Sequence, residues 1–122
     1  MKLEEGMYVR TKKGMMAKII SKEDVSGSLH KEEIVFILDN GNRLALNSRK
    51  VIKARYNIID LIEEGDYVNG KYVYENGFDF SGKRCLHMQS SATYACEVFL
   101  YEEDIKDIVT KEQFESMKYE VK

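Results

Sequence analysis

The chain has 122 residues, 43% hydrophobic, 11% aromatic and 33% charged, with a formal net charge of −2. That length makes one ordinary domain or two very small ones, and the apolar fraction is enough for a core beneath a wet surface. No run approaches the ~18 apolar residues of a membrane helix, and Met1-Lys2-Leu3-Glu4-Glu5 puts acids where a secretory signal needs an apolar stretch; we expect no membrane span, a cytoplasmic setting, and Cys85 and Cys96 as free thiols.

In chain order, residues Met7 to Thr11 and Met15 to Ser21 read as two short strands joined through Lys12-Lys13-Gly14, a hairpin signal. A polar loop from Lys22 to Ser28 follows. The apolar run Ile34-Val35-Phe36-Ile37-Leu38 then meets Asp39-Asn40-Gly41-Asn42, where Asn-Gly supplies a tight turn, and Arg43 to Leu46 returns as its partner. Val51 to Ala54 makes a fifth strand, and Asn57 is placed to cap a brief helical turn through Ile58 to Ile62 that Gly65 ends.

At this point the chain repeats itself. Leu3-Glu4-Glu5-Gly6-Met7-Tyr8-Val9 recurs as Ile62-Glu63-Glu64-Gly65-Asp66-Tyr67-Val68, identical at five of seven positions. Beyond it come Asp66 to Val68, an Asn69-Gly70 turn, Lys71 to Tyr74, an Asn76-Gly77 turn, then strands from Arg84 to Gln89 and Ala95 to Tyr101, with Ser81-Gly82-Lys83 and Ser90-Ser91-Ala92 as irregular loops. Asp104 to Val109 and Thr110 to Met117 read as helix, with Thr110 as N-cap and Gln113 three residues on completing a capping box.

Five short strands entered through acid-Gly-x-Tyr-Val, with tight hairpins and a one-turn helix, resemble the SH3-like small barrels. The fold class expected is therefore mainly β (α+β): two tandem SH3-like units, a basic one over residues 1–56 and an acidic one over 57–122, with a short C-terminal helix. A single mixed sheet with a helix packed on it is the alternative.

Charge divides with the units. Residues 1–56 hold 12 Lys/Arg and 7 Asp/Glu, net +5, and residues 57–122 hold 7 Lys/Arg and 14 Asp/Glu, net −7. On the basic side Lys12, Lys13, Lys18, Arg43, Arg49, Lys50, Lys53 and Arg55 are candidates to neutralise phosphates, with Tyr8 and Tyr56 as stacking surfaces; the plainer account is a solvated surface. On the acidic side Glu97, Glu102, Glu103, Asp104, Asp107, Glu112 and Glu115, interleaved with Tyr94, Phe99 and Tyr101, form a face able to imitate nucleic acid toward a basic channel; edge-strand protection and an ordinary helix face explain the same charges.

Groups for catalysis are sparse: two histidines, no Gly-rich phosphate loop and no nucleophile elbow, so no enzyme and no cofactor are expected. Cys85 and His87 share one strand face, with Cys96 across a hairpin and His30 more distant, but no Cys-x-x-Cys pair supports a metal site. Core packing is the reading preferred for Cys85 and Cys96, a half-exposed polar role for His87, and sheet packing for Tyr67, Tyr72, Tyr74, Tyr94, Tyr101 and Tyr119.

Two segments, Asn57-Ile58-Ile59-Asp60-Leu61-Ile62-Glu63-Glu64-Gly65-Asp66-Tyr67-Val68-Asn69-Gly70 and Ile108-Val109-Thr110-Lys111-Glu112-Gln113-Phe114-Glu115, are similar to small proteins of unassigned function from phages and prophages of low-GC Gram-positive bacteria. What the resemblance implies is an accessory or anti-defence role, of the anti-CRISPR kind, in the host bacterial cytoplasm, with a host defence nuclease or effector complex as partner. A nucleic-acid-binding barrel using the basic half, and a protein that sequesters a nucleotide defence signal, stand beside it. Oligomeric state is left open.

Overall fold

The alternating segments become ten short strands among the described residues, sorted into two antiparallel sheets rather than one mixed sheet. The computed structural model describes residues 2–24, 34–45, 50–89 and 98–117, and it divides the chain into two compact units, Met1–Asn57 and Ile58–Lys122.

In the first unit β1 (Tyr8–Thr11), β2 (Met16–Asp24), β3 (Ile34–Leu38), β4 (Arg43–Ala45) and β5 (Val51–Arg55) lie in the order β4-β3-β2-β1-β5. The hairpins at Lys12-Lys13-Gly14 and Asp39 to Asn42 form where the turn residues place them. β2 continues to Asp24, so Lys22 to Asp24 is strand and not loop: it pairs with Ile34 to Phe36, and a pairing partner outweighs local polarity. Val9, Ala17, Ile19, Phe36, Leu38, Leu44, Ala54 and Leu3 make the buried core.

The second unit opens with a 3-10 turn at Ile58–Leu61, then β6 (Tyr67–Val68), β7 (Lys71–Phe78), β8 (Arg84–Met88), β9 (Val98–Leu100), a 3-10 turn at Glu102–Asp104, β10 (Ile108–Val109) and α1 (Lys111–Met117). Its sheet order is β10-β6-β7-β8-β9. Each sheet thus places its fifth strand beside its first and its first to fourth in sequence.

The likeness extends to single hydrogen bonds. Gly6 N–H donates to the Ile19 carbonyl at 2.8 Å and Ile19 N–H to Met7 at 2.8 Å; Gly65 N–H donates to Val73 at 3.0 Å and Val73 N–H to Asp66 at 2.9 Å. Both glycines adopt left-handed backbone, φ 92° and 96°, a conformation that a Cβ penalises. Val9 and Val68, Ile19 and Val73, Phe36 and Leu86, and Leu38 and Met88 are buried at corresponding register positions. Pairing slips just after Ile19 and just after Val73, leaving exposed Ile20 and Tyr74 as equivalent extra residues. The heptad is therefore one structural element used twice.

Three expectations for the second unit are corrected. Asn76-Gly77 is not a turn: both lie inside β7, opposite Leu86 and Cys85, and Asn76 Nδ2 donates to the carbonyls of Ile59 and Ile62 at 2.7 and 2.8 Å. The chain reverses instead at Asp79 to Lys83, a compact turn closed by Asp79 N–H to the Lys83 carbonyl at 2.9 Å, and not an irregular loop. Asp104 to Val109 is not a continuous helix: Asp104 ends a 3-10 turn, and Ile108 and Val109 pair with Val68 and Tyr67 as a fifth strand.

Among the described residues the α-helix is Lys111–Met117, and it has the expected capping box: Gln113 N–H donates to Thr110 Oγ1 at 3.3 Å, and Thr110 N–H to Gln113 Oε1 at 3.1 Å. At the 3-10 turn, the acceptor for Ile59 N–H is Glu102 Oε2 at 3.0 Å.

Candidate functional site

The basic candidates fall into two groups in the first unit. Lys12 and Lys13 occupy the β1–β2 turn, Arg43 opens β4, and Lys50 precedes β5; although β4 and β5 are the two edges of the sheet, these segments line one cleft of about 450 Å³ that Thr11, Met15, Asn42 and Leu44 complete. Leu44 and Thr11 are buried and the four cationic residues exposed, so the cleft has an apolar floor and a charged rim. The cleft's framework is hydrogen-bonded: Lys12 N–H donates to the Lys50 carbonyl at 2.8 Å, Met15 N–H to Thr11 Oγ1 at 3.1 Å, and Asn42 Nδ2 approaches Met15 Sδ at 3.4 Å. Arg43 also meets Glu23 at 3.8 Å, an exposed pair of small energetic weight.

The second group runs across the sheet. Tyr8 stands opposite both Lys18 and Arg55, and the Lys18 ammonium lies 5.6 Å from the Tyr8 ring centre; Lys53 is opposite Arg10. Tyr56 is exposed and its hydroxyl donates to Glu4 Oε2. Arg49 lies outside the described residues.

The acidic candidates are not one uniform face. Glu102 accepts Ile59 N–H inside its unit, and Glu103 is held by Lys83 at 2.8 Å. The lysine ammonium holds the Glu103 carboxyl below its usual range, and Glu103 in turn raises Lys83. Asp104 and Asp107 are exposed, as is Glu115 on α1, whereas Glu112 is half-buried. Tyr94 and Glu97 lie outside the described residues, as do His30, Cys96 and Tyr119.

Asp79 organises the β7–β8 turn, a role the sequence reading missed. Its Oδ1 accepts from Ser81 N–H (2.8 Å), Ser81 Oγ (2.7 Å) and Lys83 N–H (2.9 Å), and its Oδ2 accepts from the Tyr101 hydroxyl at 2.8 Å. Asp-x-Ser-Gly was the available signal, since an Asp side chain commonly takes the N–H two residues on. The Ser81 hydroxyl, then the Tyr101 hydroxyl and the Lys83 N–H, hold the Asp79 carboxyl far below its ordinary value, with burial acting in the opposite direction. The same bond raises Tyr101.

Because Asp79 is depressed, its stabilisation is complete above the unfolded carboxylate value and is lost only as pH falls through the lower folded value. We expect the Asp79 carboxyl carbon to titrate by NMR well below the ordinary 3.8 and the turn amides to stay protected through pH 4. A midpoint near 3.8 would contradict the hydrogen-bonded geometry.

Cys85 is fully buried, and burial pushes its thiol up, away from the reactive thiolate. His87 contacts Glu75 at 3.8 Å and the Phe99 ring at 4.7 Å. Among the described residues no group of three or more His, Cys, Asp or Glu is arranged to hold a metal ion. Tyr67 stacks on Phe114 at 4.8 Å and meets Tyr72 edge-on at 5.6 Å, and Tyr72 meets Tyr74 at 5.3 Å, so these rings pack with one another. No helix of the described residues is long and apolar enough to cross a membrane.

Among the described residues, fold and geometry together define a mostly β protein of two like-ordered five-stranded sheets, one short α-helix, and a cationic cleft in its first unit. No protein-family model matches the chain, and comparison with curated proteins and with solved structures gave no match.

Proposed function

We propose that the protein is a non-catalytic nucleic-acid-binding protein of two tandem SH3-like barrels, acting in the bacterial cytoplasm as a phage-encoded accessory factor. The barrel assignment is supported by the shared strand order, the bulge repeated in the second strand, and the 3-10 turn between the fourth and fifth strands of the second unit.

The observation that carries the binding reading is the convergence of Lys12, Lys13, Arg43 and Lys50 on one concave site. Four cations from three separate segments around an apolar floor offer a phosphate backbone several neutralising contacts, and the floor offers a base or sugar a dry surface. A scattered basic surface would not have this concavity.

Inhibition of a defence nuclease by acidic imitation of nucleic acid has less support: Glu102 accepts Ile59 N–H and Glu103 is paired with Lys83, so two of the candidate carboxylates already have partners within the unit. Nucleotide sequestration draws on the cleft's volume, which suits a mononucleotide.

Fluorescence anisotropy with labelled single-stranded and duplex oligonucleotides tests the reading. Four phosphate contacts predict a log–log salt slope of about −3 on single strands and about −3.5 on duplex. No binding of any oligonucleotide at about 50 mM salt would overturn it, and saturable binding of a mononucleotide alone would replace it with the sequestering role.

A further inference from the structure

A second surface, on the second unit, has a chemistry of its own. His87 on β8 stands opposite Phe99 on β9 and opposite Glu75 on β7, so the three side chains share one face of the sheet. The His87 and Phe99 rings are 4.7 Å apart, and Phe80, from the β7–β8 turn, closes on Phe99 at 6.2 Å. Phe80 is fully exposed and sits beside the half-buried Phe99, so the two rings offer a small apolar surface to a partner. The turn that projects it is fixed by the four hydrogen bonds to Asp79, so the ring is presented from an ordered support.

The charge around this strip selects its partner. Lys83 is paired with Glu103 at 2.8 Å and Arg84 with Asp60 at 3.2 Å, while the Glu75 side chain is 69% exposed, so the local balance is acidic. Two neighbouring rings already hold cations over their faces: Lys83 lies 4.6 Å from the Tyr101 centroid and Arg84 5.1 Å from that of Phe78. Among the described residues none does so over Phe80 or Phe99.

The geometry points to a docking strip for a basic protein segment, whose arginine side chains lie over Phe80 and Phe99 while Glu75 receives their charge. Ring faces attract guanidinium groups and neighbouring carboxylates add to that attraction, whereas a nucleic acid would meet repulsion here. The inference is independent of the cationic cleft, which would repel the same segment.

The test is titration of the full chain with a nine-residue Arg/Gly peptide, an equally charged Lys/Gly peptide and an Asp/Gly peptide, followed by amide and aromatic NMR shifts. Phe80→Ala and Glu75→Gln are the variants, both at exposed positions outside the core. We expect the Arg/Gly peptide to shift Phe80, Phe99 and His87 resonances, to bind more tightly than Lys/Gly, and to weaken at least about fivefold in each variant. Equal binding by wild type and Phe80→Ala would overturn the proposal. So would shifts of the same resonances by a single-stranded oligonucleotide, or self-association in sedimentation that Phe80→Ala abolishes.

Discussion

Replacing Lys12, Lys13, Arg43 and Lys50 with glutamine is expected to lower nucleic-acid affinity by about two orders of magnitude near 100 mM salt and to flatten the salt slope by about 3. The size follows from counterion release: each phosphate neutralised contributes a little under one unit of slope. The fold should survive, because all four residues are exposed and the framework bond between Lys12 and Lys50 uses backbone atoms only. Lys18, Lys53 and Arg55 changed together to glutamine form the control, since they remove comparable charge from the sheet surface away from the cleft. A loss confined to the first set locates binding in the cleft. Equal losses in both would show a diffuse electrostatic effect, and no loss in either would end the nucleic-acid reading.

The largest effect on stability is expected at Asp66. Its side chain is fully buried; Oδ2 accepts Glu63 N–H at 2.8 Å and Oδ1 accepts Lys111 N–H at 2.9 Å, joining the heptad turn to the first residue of α1. Asp66→Ala removes both acceptors and leaves two half-buried donors unsatisfied, for a loss of about 3 kcal/mol, with Asp66→Asn intermediate because one oxygen remains. In a unit of this size that is a large share of the total. Urea unfolding followed by resolved amide signals would show the second unit unfolding at lower denaturant and α1 losing protection first. A shift below about 1 kcal/mol would mean the two bonds are replaced by water.

Asp66 also explains a difference within the repeat. The equivalent residue of the first unit is Met7, which packs against the core instead. In the second unit the Asp66 carboxylate accepts the leading N–H of the α-helix that follows the fifth strand, whereas the 3-10 turn that follows β5 takes its acceptor for Ile59 N–H from Glu102.

The parts of the fold readable in advance were those with local causes. The heptad repeats because Glu-Glu-Gly makes the same left-handed turn in both units, and the Thr110–Gln113 box closes within four residues. One misread part, the Asp79 to Lys83 turn, has a local cause in the Asp79 side chain, and the others involved distant partners. Asn76-Gly77 has turn composition, yet Asn76 serves the carbonyls of Ile59 and Ile62, and pairing with Leu86 and Cys85 holds the segment extended. Asp104 to Val109 carries a helix-compatible pattern, but β6 offers Ile108 and Val109 unpaired strand groups, and the ladder is satisfied by a strand.

The candidate site divides in the same way. Sequence alone determined that the chain is strand-rich, that one turn element is used twice, and that basic residues gather in the first half and acidic residues in the second, because turn chemistry, alternation and charge are properties of neighbours. Which four of the seven described basic candidates share a cleft, and which carboxylates already have partners within their unit, was decided by tertiary structure. Arg43 and Lys50 stand at the two edges of one sheet, so their meeting depends on how that sheet bends around the buried residues of the first unit, which no local stretch of sequence specifies.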